Sequence, residues 1–189
     1  MMRTPLIAAC AALLLATCAL TNAETVVLDS FDTAQSAWGP ARAETKLVKQ
    51  GKAALRWLPD EGPVRRDDLA IDLGKYNSLR LWIHSQSATF AKMQMEIPLA
   101  GSESRFTLKF KVDWEGWNRM EVGPWVFTGP ADNAENWAKA RGLIVTQLKP
   151  GFEPAELVLD GLEVSTDWPQ MPVNDHETMI DWLYWSARG

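Results

Sequence analysis

The feature that most limits the fold of this chain is a two-residue rhythm that recurs along most of its length. In RFTLKFKV (105–112), Phe106, Leu108, Phe110 and Val112 alternate with Thr107, Lys109 and Lys111. Successive side chains of a strand point to opposite faces, so such a segment buries one face and wets the other. Similar patterning, rich in β-branched and aromatic residues, runs through ETVVLDSF (24–31), AALRWL (53–58), SLRLWIHS (78–85) and KMQMEIPL (92–99). It continues through WNRMEV (117–122), GLIVTQL (142–148) and ELVLDGLEV (156–164). Turn residues punctuate these runs at Gly51-Lys52, Glu61-Gly62-Pro63, Leu99 to Ser102, Gly129-Pro130 and Lys149-Pro150-Gly151. Many short strands, with no long amphipathic helix before the C-terminus, predict an all-β, two-sheet antiparallel β-sandwich over residues 24–168.

Both ends of the chain read differently. Residues 1–23 carry Arg3, an apolar run from Leu6 to Leu20 and a small-residue site at Thr21-Asn22-Ala23, the parts of a cleaved signal peptide. Thr17 is a poor residue before a lipid-bearing cysteine at Cys18, so cleavage after Ala23 is preferred. The run is too short for a typical spanning helix and no second one follows, so a secreted or periplasmic protein without a membrane span is expected. Cys10 and Cys18 both fall in the signal. The mature chain therefore has no disulfide, and its roughly 165 residues must build one ordinary core. Loss of Arg3 leaves 18 basic against 24 acidic residues, a formal charge of −6, which argues against a nucleic-acid partner. At the other end, residues 169–189 open on Pro169 and Pro172 and continue as NDHETMIDWLYWSARG. Asn174 and Glu177 form a capping box, and Met179, Ile180, Trp182 and Leu183 an apolar stripe, predicting a C-terminal helix. It docks either on the sandwich or on a protein partner.

Strand parity sorts the candidate functional residues. Leu79, Leu81 and Ile83 face inward in one segment, Met93, Met95 and Ile97 in the next, and Met120 and Val122 in a third. Arg80, Trp82, His84, Gln94, Glu96, Trp117, Arg119 and Glu121 then face outward. A flat aromatic ring flanked by planar hydrogen-bonding groups suits a sugar, whose C–H face stacks while its hydroxyls pair with polar side chains. Trp82, with Arg80, His84, Gln94, Glu96, Trp117 and Arg119, is the candidate ligand-binding patch. The alternative is an ordinary outer face on which a loop or the terminal helix covers Trp82.

Catalytic patterns are missing from the sequence. Its two histidines are His84 and His176, and Ser85 beside His84 points to the opposite strand face, which defeats a nucleophile–base pair. Asp67-Asp68 does not stand out from other carboxylates as a glycosidase pair. There is no His-Glu-x-x-His motif and no Gly-rich phosphate loop, so no enzymatic activity is expected.

Five motifs occur in order: VVLDSFD (26–32), GKAALRW (51–57), LGKYNSLRLWIHS (73–85), VDWEGWNRMEV (112–122) and LVLDGLEV (157–164). With them the chain resembles the galactose-binding-like jelly rolls used as carbohydrate-binding modules, and in particular the N-terminal module of chondroitinase-type polysaccharide lyases. The resemblance covers nearly all of residues 24–168. It implies a jelly-roll β-sandwich that binds a polysaccharide or glycan, often with one structural calcium ion. In such modules an acid at the end of the first strand and another in the last strand meet beside the turn before the second strand. The matching positions are Asp32, with Asp29 nearby, and Asp160, together with main-chain oxygens around Gln50 and Gly51. Glu is usual where Asp32 stands, and Gly161 replaces a frequent second acid; Asp29 and Asp32 also read as plain turn residues. The resemblance further implies that Trp114 and Trp117 mark the fold, Trp117 remaining a candidate ligand contact. Three functions follow: a secreted non-catalytic carbohydrate-binding protein, an envelope interaction protein whose C-terminal helix docks on a partner, or the remnant N-terminal module of a lyase.

Overall fold

The computed structural model describes residues 23–33, 35–69 and 72–169. The expected signal peptide, save Ala23, and the expected C-terminal helix lie outside the described residues. Ten strands form: β1 Thr25–Asp29, β2 Arg42–Glu44, β3 Ala54–Trp57, β4 Val64–Arg66, β5 Ser78–Ser85, β6 Lys92–Pro98, β7 Arg105–Lys111, β8 Gly116–Val122, β9 Leu143–Lys149 and β10 Leu157–Ser165. The eight alternating segments account for all but β2 and β4. Those two are three residues long, RAE and VRR, and too short to show a period.

The strands pair antiparallel in two sheets. The six-stranded sheet runs β2-β3-β10-β5-β8, and β1 also pairs with β10. β3 takes the first half of one β10 edge and β1 the second, while β5 spans the other edge. The four-stranded sheet runs β4-β9-β6-β7. This is the two-sheet jelly-roll sandwich expected, and it brings the N-terminal strand beside the C-terminal one.

The core between the sheets follows the parity reading. Leu79, Leu81 and Ile83 of β5 meet Met93, Met95 and Ile97 of β6, Phe106 and Leu108 of β7, Val145 of β9 and Leu157 and Leu159 of β10, all buried. Each fully buried large side chain stabilises the fold by roughly 1.5–3 kcal/mol, which lets the described domain cohere without a disulfide. Trp38 and Trp57 are buried beside Phe31. A one-turn helix, α1 (Ala134–Trp137), is capped by Asn133. It stacks Trp137 on Phe106 with centroids 3.6 Å apart and closes that side of the core. No helix among the described residues is long and apolar enough to cross a membrane.

Candidate functional site

Register places three rows of side chains across the outer face of the six-stranded sheet. One reads Arg56, Val158, His84, Trp117; the next Asp160, Trp82, Arg119; the third Glu163, Arg80, Glu121. Directly opposed residues interact as pairs, so Arg80, Trp82, His84, Trp117 and Arg119 do come together. Their accessibility differs sharply. Arg80 is only 8% exposed; its guanidinium donates to Glu121 at 2.8 Å and to Thr25 Oγ1 at 3.3 Å. It is a structural ion pair rather than an open sugar contact. Trp82 lies under the loop before β3. Lys49 Nζ sits 4.3 Å from its ring centroid and the Arg119 guanidinium 5.7 Å. With the Gln50 amide oriented by its partners, its oxygen accepts from Trp82 Nε1 at 3.2 Å and its nitrogen donates to Glu163 at 3.3 Å. Trp82 is thus packed and hydrogen-bonded, the loop-covered alternative named from sequence.

Trp117 and His84 are half-buried, as Trp82 is, and Arg119 is exposed. Trp117 meets His84 edge to face, with centroids 5.2 Å apart and planes at 69°. Burial lowers the His84 pKa from its ordinary value, so at neutral pH the imidazole is uncharged and offers one donor and one acceptor. Arg119 is held loosely, 3.9 Å from Glu121 and 3.8 Å from Glu163. Trp114, by contrast, packs against the core.

Gln94 and Glu96 are not part of that face. They lie on β6, on the outer face of the four-stranded sheet and across the core from Trp82. Parity separates inside from outside but does not say which of two sheets a strand joins. Gln94 Nε2 donates to Glu96 at 2.6 Å, and Arg105 donates to the other Glu96 oxygen at 2.8 Å. The rows of this second face are Lys111, Lys92, Lys149; then Lys109, Gln94, Thr146; then Thr107, Glu96, Ile144, Arg65.

The three candidate metal ligands also divide. Asp29 accepts from the Phe31 N–H at 2.7 Å and Trp38 Nε1 at 2.9 Å, and pairs with Arg66. Its carboxylate is committed to that network, away from the other two. Asp32 Oδ1 accepts from the N–H groups of Lys52 and Ala53, the latter at 2.9 Å, and these donors lower its pKa. Asp160 Oδ2 accepts from Lys49 N–H at 2.7 Å and Gln50 N–H at 2.8 Å. Asp160 Oδ1 is buried with no hydrogen-bond partner among the described residues. Burial raises the Asp160 pKa, and the nearby Asp32 charge adds to the rise. Gly51, at φ 68°, lets the Asp32 carboxylate approach closely, since a Cβ there would lie 2.6 Å from both its oxygens. Two carboxylates, one with an orphaned buried oxygen, suit an oxygen-seeking cation such as calcium. No group of three or more His, Cys, Asp or Glu side chains gathers among the described residues, so main-chain oxygens would have to complete a shell. The Lys49–Gln50 lid was not visible in the sequence, because its role depends on the loop folding back over β5 and β10.

No family model matches the chain, and no curated protein matches it. Its fold is similar to the family 11 carbohydrate-binding module from Clostridium thermocellum in complex with a β-1,3-1,4-mixed-linked tetrasaccharide. That likeness has a TM-score of 0.50 at 13% identity and covers 77% of this chain and 98% of the module. The family 11 module of a cellulosomal cellulase of Clostridium thermocellum is similar at 14% identity and TM-score 0.50, over 80% of this chain and 98% of that one. An exo-β-agarase matches at 9% identity and TM-score 0.53, over 78% of this chain but 26% of the enzyme. At such identities the likeness is one of architecture: the chain has the two-sheet jelly-roll fold seen in these carbohydrate-binding modules.

Proposed function

We propose that this chain is a secreted or periplasmic, non-catalytic carbohydrate-binding protein. The observation that carries the reading is the strip on β5 and β8, where the half-buried Trp117 and the neutral His84 are paired and the exposed Arg119 stands in the next row. An indole edge-locked by an imidazole presents a fixed apolar surface to the C–H face of a pyranose. His84 and Arg119 offer hydrogen bonds to the hydroxyls around it. The fold supports the reading, since the carbohydrate-binding modules it resembles are matched over 98% of their solved chains. The signal-like N-terminus supports secretion. A calcium ion held by Asp32, Asp160 and main-chain oxygens near Gln50 and Gly51 is part of the same proposal. It would supply positive charge where Asp160 is buried, and so fix the lid that covers Trp82.

A thermal-shift screen of neutral and acidic glycans, with and without calcium, tests both parts. A ligand that binds only the folded state at about 100 times its Kd stabilises it by about 2.7 kcal/mol. Trp117→Ala is expected to remove the glycan shift while leaving the unliganded melting temperature nearly unchanged. No shift and no gel retardation with any glycan would overturn the reading.

A further inference from the structure

On the outer face of the six-stranded sheet, the row after Glu163, Arg80 and Glu121 lies beside two open tryptophans. Leu79, Val122 and Val164 are buried in the core, so parity brings Ser78, Gly123 and Ser165 to the outer face. Ser78 and Ser165 are ladder partners, and both are buried. Gly123 is extended, and a Cβ there would lie 2.2 Å from two ring carbons of Trp125. The indole therefore lies against the sheet, in the space that a side chain at position 123 would fill. Trp168, just beyond the end of β10, meets it with ring centroids 5.3 Å apart and planes at 35°.

The backbone beneath both rings is fixed. In the 3-10 turn Pro124–Val126, Val126 is buried, and Phe127 packs on the core and donates its N–H to the Pro124 carbonyl at 3.2 Å. Trp125 is the residue of this turn left pointing outward. Before Trp168, Thr166 N–H donates to the Glu24 carbonyl at 3.0 Å, and Asp167 N–H donates to Ser165 Oγ at 3.1 Å. Yet Trp125 is 51% exposed and Trp168 66%, both more open than Trp117. The arrangement is not built for stability alone. Ser78 Oγ is buried with no hydrogen-bond partner among the described residues, and a desolvated hydroxyl left unpaired is destabilising.

His84, which pairs with Trp117, stands six positions along β5 from Ser78. At about 3.3 Å per residue, the two aromatic positions are roughly 20 Å apart on one face. Between them lie Arg119, Arg80, Glu121 and Glu163, with Asp167 at 3.7 Å from Arg80. A protein interface has the opposite plan, an apolar centre with charge at its rim. A linear glycan suits this one, because its rings repeat an apolar face and its hydroxyls can meet the polar rows between. We propose that Trp125 and Trp168 form a second sugar-stacking subsite, so that the ligand is an internal stretch of a linear polysaccharide lying along β5 and β8. The proposal rests on the carbohydrate reading above and adds direction and extent to it. Gln50, held by Asp160 of β10, covers Trp82 from the β10 side, so the path follows β8 past Arg119. Engaging both ends makes the second contact intramolecular, and a chain that spans them binds far more tightly than a short one.

Affinity gels cast with mixed-linkage β-glucan, xylan or polygalacturonate identify a polymer that retards the full mature chain. Oligosaccharides cut from that polymer, from the disaccharide upward, are then titrated by calorimetry. Affinity is expected to climb with length until both ends are spanned, and then to level off. Trp168→Ala is expected to weaken polymer binding about tenfold, to abolish the gain from short to long oligosaccharides and to keep the melting temperature. Trp168→Phe, which retains an aromatic face, is expected to bind nearly as the wild type does. Retardation that Trp117→Ala weakens and Trp168→Ala does not overturns the second subsite and leaves the carbohydrate reading standing. Affinity already maximal at the disaccharide does the same. No retardation in any gel overturns both.

Discussion

The two outer faces of the sandwich carry different cations. On the six-stranded sheet the cations are arginines, and each has acids within reach. Arg80 pairs with Glu121, Arg56 with Glu44 and Glu156, Arg42 with Glu61, and Arg119 lies near Glu121 and Glu163. The Arg80–Glu121 pair is largely buried, and the pairs tie β2 to β3 and β5 to β8. On the four-stranded sheet four lysines stand at Lys92, Lys109, Lys111 and Lys149, while the one ladder acid, Glu96, is taken by Arg105. Planar guanidinium groups suit fixed, bidentate pairing; ammonium groups on long stems do not. The lysines of the four-stranded sheet stand beside Arg65, Arg66 and Arg105, which hold Asp67, Asp29 with Asp68, and Glu96, so the faces differ in the kind of cation they carry.

The largest effect expected from this contrast is at Arg80. Arg80→Ala leaves the largely buried Glu121 with only the long Arg119 contact, and is expected to cost up to about 3–5 kcal/mol in urea unfolding. Lys109→Ala on the other face is expected to change stability by no more than about 0.5 kcal/mol. Similar losses for the two variants would erase the distinction between the faces. Trp82→Ala comes next, at about 2 kcal/mol, because the ring is packed under Lys49 and Gln50 rather than open. A Trp82→Ala protein that kept its stability and lost glycan binding would return Trp82 to the role its sequence position suggested.

The calcium proposal sharpens the same contrast, because Asp160 is the acid of the arginine-rich face that no arginine reaches. Its folded-state pKa is raised, so the ionised form costs stability at neutral pH and that cost is relieved as pH falls through the raised value. Asp160→Asn is therefore expected to melt at or above the wild type without calcium, and to lose any calcium-dependent rise. A wild-type melting temperature unmoved by calcium or chelator would remove the ion. Glu44 titrates the other way. The N–H groups of Lys46 and Leu47, together with Arg56, lower its pKa to about 2. Its contribution is full above the ordinary value of 4.5 and is lost as pH falls toward 2. His84, also lowered, costs stability as pH drops below its ordinary 6.5. Glu44→Gln should flatten the acid limb of a melting-temperature profile, and His84→Gln the limb just below neutrality.

The strands and their inner faces were legible in the sequence because alternation is a local property. Phe106 and Leu108, or Met93 and Met95, declare their side within a few residues. The assignment of Gln94 and Glu96 to the Trp82 patch went wrong because it needed sheet membership, which is set by pairings such as Glu96 with Ile144, far apart in the chain. The cover over Trp82 was hidden for a similar reason. Lys49 and Gln50 reach it only because Asp160 and Asp32 draw in the loop's N–H groups. Asp29 and Asp32 were indistinguishable as acids near the first strand; Arg66 and Trp38 separate them. The Trp125–Trp168 pair left no periodic signal, because both residues lie outside the strands and meet only in space.

The smallest effect is also the most direct measure of the contrast. Reversing one charge in the lysine row of the four-stranded sheet is expected to shift the stability of the free protein only slightly. Lys149 is exposed and opposes Lys92 across the ladder, so Lys149→Glu replaces a repulsion with an attraction. The expected gain is a few tenths of a kcal/mol, within the roughly 0.2–1 kcal/mol typical of cross-strand pairs. It should shrink as salt is added, because exposed charges are screened. Urea midpoints at low and high ionic strength, read for Lys149→Glu and Lys149→Gln side by side, separate charge from shape. A loss of stability in the glutamate variant alone would mean that Lys149 already serves the fold, as the arginines of the other face do.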